Sequence, residues 1–342
     1  MEKKITNSLK PILTIVISLA FAAFFLWLAL KGLDFKIIQQ ALTKANYLWV
    51  LGAAFFGGLA YWFRAIRWNL MLEPMGYHIS NSNALWSISF GYLMNLTIPR
   101  SGEVARATAL YGVEKVPVDK SFGTIILERI VDLICMFIFL GLTLVFKYEA
   151  ILSFYINSGI QVNPIKISIV LLILVACGIL FFIFKNKFVH VPFLGKIVSF
   201  IDGIFQGLMS IIKLKEKFKF IIYTAAIWIS YYFAAYLVCF ALPETSNFSF
   251  ADGFFIIVVG TLGMIIPASG GIGAYNLALK YGFMALFISM GKSGELGAEM
   301  GLTYSFISLP LQIVIMLIMG LISIPMLAKA RNKLVAHQEI ND

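Results

Sequence analysis

Charge is scarce in this chain of 342 residues: Asp, Glu, Lys and Arg make up 13%, whereas a soluble globular protein carries roughly 25%. Cysteine and histidine are also scarce, with three of each. The cysteines lie singly inside apolar segments and the histidines are scattered, so we expect buried thiols and no metal site. The motifs H-E-x-x-H, G-x-S-x-G and the Walker A lysine are missing, which favours a protein that is not an enzyme and needs no cofactor.

Apolar residues dominate instead. They make up 60% of the chain and include 31 phenylalanines, and the mean hydropathy is +0.90. The first apolar run, 11–30, is longer than a signal-peptide core and long enough to cross a bilayer. The formal net charge is +10, but its positive residues sit mainly between apolar runs. Membrane orientation explains that distribution better than nucleic-acid binding, so we expect no nucleic-acid partner.

One short motif occurs twice inside the apolar sequence. The pattern I-P-x-S-G stands at 98–102 and again at 266–270. Proline ends a helix, serine can cap the next one, and glycine lets the backbone turn. A matched pair of apolar segments interrupted by Gly and Pro, one in each half of a membrane protein, indicates a transporter built from inverted repeats.

Six apolar segments are long enough to cross a bilayer, which takes about 20 residues. They are 11–30, 47–72, 121–146, 165–185, 220–242 and 299–327. Two further pieces, 80–112 and 250–290, bend at the proline of the repeated motif, and their arms are too short for comfortable crossings. We therefore predict an all-α polytopic membrane protein with six full transmembrane helices and two re-entrant helical hairpins.

The distribution of lysine and arginine predicts the orientation, because cytoplasmic loops carry the excess. Positive residues concentrate before the first crossing, after the fourth and after the last, so both termini are predicted to be cytoplasmic. Units 47–146 and 220–327 then hold the same parts in opposite orientation, which predicts an inverted repeat. Segment 191–219 is predicted to be an amphipathic helix on the cytoplasmic face, and 1–342 to form a single integral membrane domain.

The hairpin tips are candidate binding sites, because a helix that begins there points its unpaired N–H groups into the protein and attracts anions. The alternative is a proline kink that only shapes packing. Arginines add positive charge beside the first tip, whereas the second tip offers backbone alone. The candidate residues are Arg100, Ser101, Gly102, Glu103 and Arg106 at the first tip, and Ser269, Gly270, Gly271 and Gly273 at the second.

Charged residues inside predicted crossings are the second candidate group. Glu128, Arg129 and Asp132 lie roughly a quarter to half of the way along the third crossing at 1.5 Å per residue, where charges are costly. They either form a structural ion pair, with Glu103 or Arg106 within reach, or line a polar route for a headgroup. Arg64 and Arg67 lie at the inner end of the second crossing. Arg64 is expected to face the core, while one arginine of the pair is expected to reach the interface among aromatic residues. Tyr231, Tyr232 and Tyr236 are interpreted as packing residues.

These residues resemble a known family. Pro99-Arg100-x-Gly102-Glu103-x-x-Arg106, then Glu128-Arg129-x-x-Asp132, then Pro267-x-x-Gly270-Gly271-x-Gly273 are similar to the lysylphosphatidylglycerol synthase transmembrane region, a flippase-like family of bacteria. Arg64-x-x-Arg67-Trp68 fits the same pattern, and the resemblance covers roughly 10–330. Two features depart from it: Asn276 stands where many members have an acidic residue, and the last crossing has Thr303 and Tyr304 where an arginine is expected.

The resemblance implies a multi-pass protein of the bacterial inner membrane with paired re-entrant helices and lipid translocation as its function. Because the chain ends soon after its last crossing, the aminoacyl transferase domain of the best-understood members is expected to be absent. We therefore expect a flippase-like transporter that translocates or binds a lipid with an anionic phosphate headgroup. The alternatives are a membrane partner that presents lipid to a separate lipid-modifying enzyme, and a membrane enzyme acting on lipid-linked substrates. The sequence does not indicate an oligomeric state.

Overall fold

The computed structural model describes residues 35–98, 100–158, 202, 209, 211–265 and 271–341. The predicted crossings at 11–30 and 165–185 lie outside these residues, as do most of the predicted amphipathic segment 191–219 and the residues Ser269 and Gly270 of the second tip. Every regular element in the described part of the chain is helical.

Ten α-helices run through the described residues. They are α1 Phe35–Lys44, α2 Tyr47–Leu72, α3 Asn81–Thr97, α4 Gly102–Glu114, α5 Val118–Phe146, α6 Tyr148–Ser158, α7 Lys217–Cys239, α8 Phe250–Ile265, α9 Ala274–Ser289 and α10 Gly294–Asn341. Two short 3-10 helices, Glu73–Met75 and Pro243–Thr245, follow α2 and α7.

Four of these helices are long and apolar enough to cross a membrane: α2, α5, α7 and α10. They correspond to the predicted crossings 47–72, 121–146, 220–242 and 299–327. The last helix is longer than predicted, because α10 begins at Gly294 and continues for 48 residues. Glu295 therefore lies in the first turn of this helix.

The two bent pieces each form a pair of short helices. In the first pair, α3 has 17 residues and α4 has 13; in the second, α8 and α9 have 16 each. Each helix falls below the roughly 20 residues that span the hydrocarbon core. In the described residues one helix thus ends just before each repeated motif, at Thr97 and at Ile265, and the re-entrant placement of the pairs in a bilayer remains a prediction.

The two halves of the molecule pack in the same order. In the first half α2 packs on α3, α3 on α4 and α4 on α5; in the second, α7 packs on α8, α8 on α9 and α9 on α10. The halves also exchange equivalent contacts, since α3 packs on α10 and α8 on α5, while α2 and α7 pack on each other. The packing order is therefore repeated, and the inverted orientation of the two units remains a prediction.

Two apolar clusters form the core, each centred on one half and each including residues of the other. One cluster lies among α2, α3, α4 and α5 around Trp68, Ile88 and Leu110, and the other lies among α7 to α10 around Phe255, Phe283 and Phe287. Large apolar side chains also remain exposed on the outer faces of the long helices, as lipid contact requires. The site described next is built between the elements of the first cluster.

Candidate functional site

The first hairpin tip is held by polar contacts and close packing. The Gly102 amide, the first of α4, donates to Asn95 Oδ1 on α3 at 2.7 Å. A Cβ at Gly102 would lie 2.4 Å from the Gly91 carbonyl oxygen, so only glycine permits this approach of α4 to α3. The Ser101 hydroxyl donates back to the carbonyls of Met94 and Ile98 at 3.0 and 2.8 Å.

One expectation for this tip is therefore wrong, and the predicted anion site at the tip stays a prediction. Ser101 occupies the position before α4, but its side chain makes no bond to the helix N–H groups. The Gly102 N–H that was to bind an anion is already bonded to the Asn95 side chain. Part of the predicted backbone anion site is thus satisfied within the protein. No sequence motif had singled out Asn95.

Arg100 lies at the turn between α3 and α4 and contacts the other half of the molecule. It is exposed and has a φ of 62°, a left-handed conformation that is uncommon for a residue with a side chain. Its Nη2 atom donates to the Ile265 carbonyl at 3.3 Å, at the end of α8. The first tip therefore touches the helix that leads into the second repeated motif.

The strongest concentration of charge lies between α2, α4 and α5. Arg106 on α4 forms a two-bond pair with Glu128 on α5, at 3.2 and 3.0 Å. Arg64 on α2 bridges two acids of α5, at 3.0 Å to Glu128 and 2.6 Å to Asp132. Arg67, one helical turn along α2, donates to Asp132 at 3.0 Å. The three helices are thus joined by five ionic side chains, here called the arginine cluster.

The arginine cluster is buried and carries an excess of positive charge. Arg67 and Glu128 are 0% exposed, and Arg64 and Arg106 are 4% exposed. The Asp132 side chain is 15% exposed and forms the most accessible edge. Three guanidinium groups face two carboxylates, which leaves one formal positive charge among the five. Such a charge is costly in a low-dielectric interior unless it finds a partner.

Several donors of the cluster have no acceptor among the described residues. Arg67 lacks partners at both Nε and Nη1, and the Nε atoms of Arg64 and Arg106 lack them too. An unmade hydrogen bond at a buried donor costs about 1–3 kcal/mol. The excess charge and the free donors together describe a place suited to an anion.

Aromatic side chains fix the orientation of the guanidinium groups. The Trp68 ring lies under Arg106, with 3.7 Å between the guanidinium carbon and the ring centroid, and its indole N–H donates to Thr124 at 2.8 Å. Arg64 donates to the Tyr92 hydroxyl and lies 5.6 Å from the centre of the Tyr231 ring. These contacts hold the arginines in place without neutralising them.

A second ion pair lies between the tip and the cluster. Arg129 on α5 meets Glu103 on α4 at 3.5 Å, and their side chains are 46% and 30% exposed. Along α4 the charged groups therefore pass from the exposed Arg100 through Glu103 to the buried Arg106. Glu103 and Arg106 were the partners expected for the charges of the third crossing. Glu103 contacts Arg129, and Arg106 contacts Glu128.

The arginines of α2 differ from the expectation in one respect. Arg64 faces the core as predicted, but Arg67 is also fully buried, so no arginine of the pair reaches toward an interface. The spacing of three residues contained the signal, because it places both side chains on one face of a helix. Tyr232 and Tyr236 are packing residues as interpreted, and donate to the carbonyls of Phe250 and Phe248.

The second half holds neutral groups at the corresponding places. Gly271 and Gly273 both have positive φ, at 76° and 84°, and lead the chain into α9. The Asn276 side chain accepts from the Gly273 amide at 2.9 Å and donates to Ser305 on α10 at 2.6 Å. Asn276 thus caps α9 and joins it to α10, as the Arg106–Glu128 pair joins α4 to α5.

Comparison with known proteins gives a consistent assignment. Residues 15–315 match the family described as the lysylphosphatidylglycerol synthase TM region. A UPF0104 membrane protein of Methanocaldococcus jannaschii is 26% identical over 204 residues, which cover 59% of this chain and 56% of that relative. The chain therefore matches little more than half of the relative's length. No solved structure matches.

Proposed function

The chain belongs to the lysylphosphatidylglycerol synthase TM region family, and from that premise we propose that it is a flippase-like transporter of a lipid with an anionic phosphate headgroup. A lipid-related role in a membrane fits the family and the four long apolar helices. Beyond this role, we propose that the protein moves the lipid across the membrane and recognises its phosphate. It also holds that the lipid is moved without chemical change, passively or coupled to an ion.

The single observation that carries the proposal is the excess charge of the arginine cluster. One formal positive charge, with free N–H donors on Arg67, is buried between helices that meet a membrane. A phosphodiester carries one negative charge and accepts several hydrogen bonds, so it would satisfy both needs. Hydrogen bonds between guanidinium and phosphate are short and strong.

The access route is proposed to run along the contact of α4 with α5. Arg129 and Glu103 are partly exposed there, and Asp132 forms the accessible edge of the cluster. A headgroup moving along this line would exchange one polar contact for the next while the acyl chains stay in the membrane. The cost of charge at this depth would then be offset by the lipid itself.

The orientation in the membrane is part of the proposal. Both termini are placed in the cytoplasm of a bacterial cell, with the protein in the inner membrane and the two helix pairs re-entrant from opposite sides. A cysteine at Lys215 should resist an impermeant reagent added outside intact cells, while one at Ser293 should react. The opposite labelling pattern would contradict this orientation.

The decisive test removes the excess charge and then restores it. Arg67→Met leaves two guanidiniums facing two carboxylates, so the fold should persist. One charge-assisted hydrogen bond is worth about 1.5–3 kcal/mol, and flipping of labelled phosphatidylglycerol in proteoliposomes should therefore fall about tenfold or more. Adding Asp132→Asn returns the cluster to one positive charge and should recover part of the rate. Arg331→Met, at an exposed position of α10, is the matched control.

Two results would contradict this reading. Unfolding of Arg67→Met would show that the excess charge is structural. Unchanged flipping by a folded Arg67→Met protein would show that the charge is not used. Lipid binding without flipping by the unmodified protein would favour the alternative, presentation of lipid to a separate enzyme. Turnover of a lipid-linked substrate by purified protein would favour an enzyme.

A further inference from the structure

We propose that Arg100 exchanges its hydrogen-bond acceptor, from the Ile265 carbonyl to the phosphate of a lipid, and thereby links headgroup binding to separation of the two hairpins. The inference rests on the proposed function, since it takes the same phosphate lipid as ligand. It adds a conformational step and assigns that step to one side chain.

The first observation is that Arg100 joins the two hairpins directly. Its bond to Ile265 connects residues 165 positions apart, from the turn of one helix pair to the end of α8. Ile265 is the last residue of α8, so its carbonyl belongs to the group that helix geometry leaves without an internal partner. The Arg100 guanidinium thus caps a helix in the opposite half.

The second observation is that the backbone directly after Arg100 is held by close packing and hydrogen bonds. Gly102 packs so closely on Gly91 that a side chain has no room, and Asn95 holds the Gly102 amide. The Ser101 hydroxyl is bonded to two carbonyls of the preceding turn. Movement at this tip is therefore most easily made by the Arg100 side chain, while the backbone around it stays in place.

The third observation is the backbone of Arg100 itself. Its φ of 62° is a conformation that glycine adopts freely and arginine does not. A non-glycine residue in such a conformation persists only where its surroundings fix it, and such residues cluster at ligand clamps and switch regions. The strain is understandable if the position requires the guanidinium group.

The exchange follows from the strengths of the two bonds. The present bond joins a guanidinium to a neutral carbonyl at 3.3 Å, which is long. A guanidinium–phosphate contact pairs two opposite charges and is frequently doubled, whereas the present bond has one charged partner and is single. Arg100 is exposed, so a headgroup can reach it. The Ile265 carbonyl it would leave lies on a residue that is 61% exposed, so solvent or headgroups can take over that contact.

The test measures the distance between the hairpins with and without lipid. Spin labels at Val104 on α4 and Leu262 on α8, both exposed, are introduced after replacing the native cysteines. The protein is held in a phosphate-free nonionic detergent and titrated with phosphatidylglycerol. We expect the distance distribution to shift to longer values as lipid is added. A pair at Val104 and Ile130, both within the first half, is the matched control and should not move.

Two variants separate the charge from the contact. Arg100→Gln retains an N–H donor for Ile265 but has no charge, so it should keep the short distance and lose the response to lipid. Arg100→Ala loses the contact, so it should show the longer distance before lipid is added. A shift produced by inorganic phosphate alone would also support the exchange and would identify the phosphate, without acyl chains, as the trigger.

The inference and the proposed function fail in different ways. If proteoliposomes flip the lipid while the labelled distance stays constant throughout the titration, the exchange is wrong and the transport function stands. If the distance responds to lipid and no flipping occurs, the transport function is wrong and the exchange stands. A short distance in lipid-free Arg100→Ala would also overturn the exchange, because it would show that the bond does not hold the hairpins together.

Discussion

The two halves of this protein have the same order of helix packing and different polar contacts where a short helix meets its long neighbour. In the first half, α2, α4 and α5 are joined by arginines and carboxylates, with Arg106 and Glu128 at the centre. In the second half, α9 and α10 are joined by an amide and hydroxyls, with Asn276, Ser305 and the Tyr275–Ser308 contact. The packing is repeated, and the charge is not.

This difference distinguishes polar contacts that hold helices together from charged groups that could bind a ligand. Asn276 and Ser305 show that a neutral hydrogen bond can link a short helix to its neighbouring long helix at this place. Charges in the equivalent place of the first half are therefore not required by the architecture. A buried ion pair is weak evidence for stability, because desolvation consumes much of its attraction. The excess arginine is better explained by a ligand than by the fold.

The largest expected effect on stability comes from removing the polar contact that joins a short helix to a long helix in each half. Glu128→Gln leaves three buried guanidiniums with Asp132 as their only carboxylate in the cluster, and loss of one partner of a buried pair costs about 3–5 kcal/mol. Ser305→Ala removes one neutral acceptor and should cost about 1–3 kcal/mol. Thermal unfolding followed by size-exclusion chromatography in detergent should therefore rank Glu128→Gln well below Ser305→Ala.

The control for this pair restores charge balance. Glu128→Gln combined with Arg106→Gln leaves two guanidiniums facing Asp132, the same excess as in the unmodified cluster. Much of the lost stability should return. If Glu128→Gln and Ser305→Ala are equally destabilised, the charged and the neutral helix contacts contribute equally to stability. The difference in charge between these contacts would then have no energetic consequence.

The sequence predicted the helices better than the details of the site. Long apolar runs with a proline break specify α2, α5 and the hairpins, because length and hydropathy act locally. The partners of Glu128 and Arg129 were also within reach of sequence reasoning, because motif residues on adjacent helices were already identified. Asn95 was missed because its role depends on the close approach of Gly91 and Gly102, a tertiary contact. Arg67 was misplaced because an aromatic neighbourhood fits an interface and a buried cluster equally well.

An intermediate effect should appear where the short helices touch within each hairpin. A Cβ at Gly91 would lie 2.7 Å from the Gly102 carbonyl, and one at Gly263 would lie 2.8 Å from the Tyr275 backbone. Alanine at either position should overpack the contact and cost about 1–3 kcal/mol, by a similar amount in both halves. Equal losses of thermal stability would confirm that the packing is repeated.

Gly112→Ala is the matched control for these substitutions, because nothing lies within 4 Å of the place that a Cβ at Gly112 would occupy. A helix-interior alanine there should stabilise by about 0.5–1 kcal/mol relative to glycine. If Gly91→Ala were tolerated and Gly263→Ala were not, the two hairpins would differ in packing as well as in charge. The comparison of the halves would then have to include their backbones.

The last pair of variants removes a single hydroxyl in each half, and Tyr275→Phe has the smallest expected effect of all. Tyr275→Phe loses one neutral bond to Ser308 at 3.0 Å and should cost about 0.5–1.5 kcal/mol. Tyr92→Phe loses the acceptor of Arg64, and a bond to a charged group is worth about 1.5–3 kcal/mol. Only Tyr92→Phe should also alter lipid binding, because it leaves Arg64 with one more free donor beside the phosphate site. Titration with phosphatidylglycerol in detergent measures this. A change in lipid affinity in Tyr275→Phe, with none in Tyr92→Phe, would place recognition in the second half and overturn the assignment of the first half to the ligand.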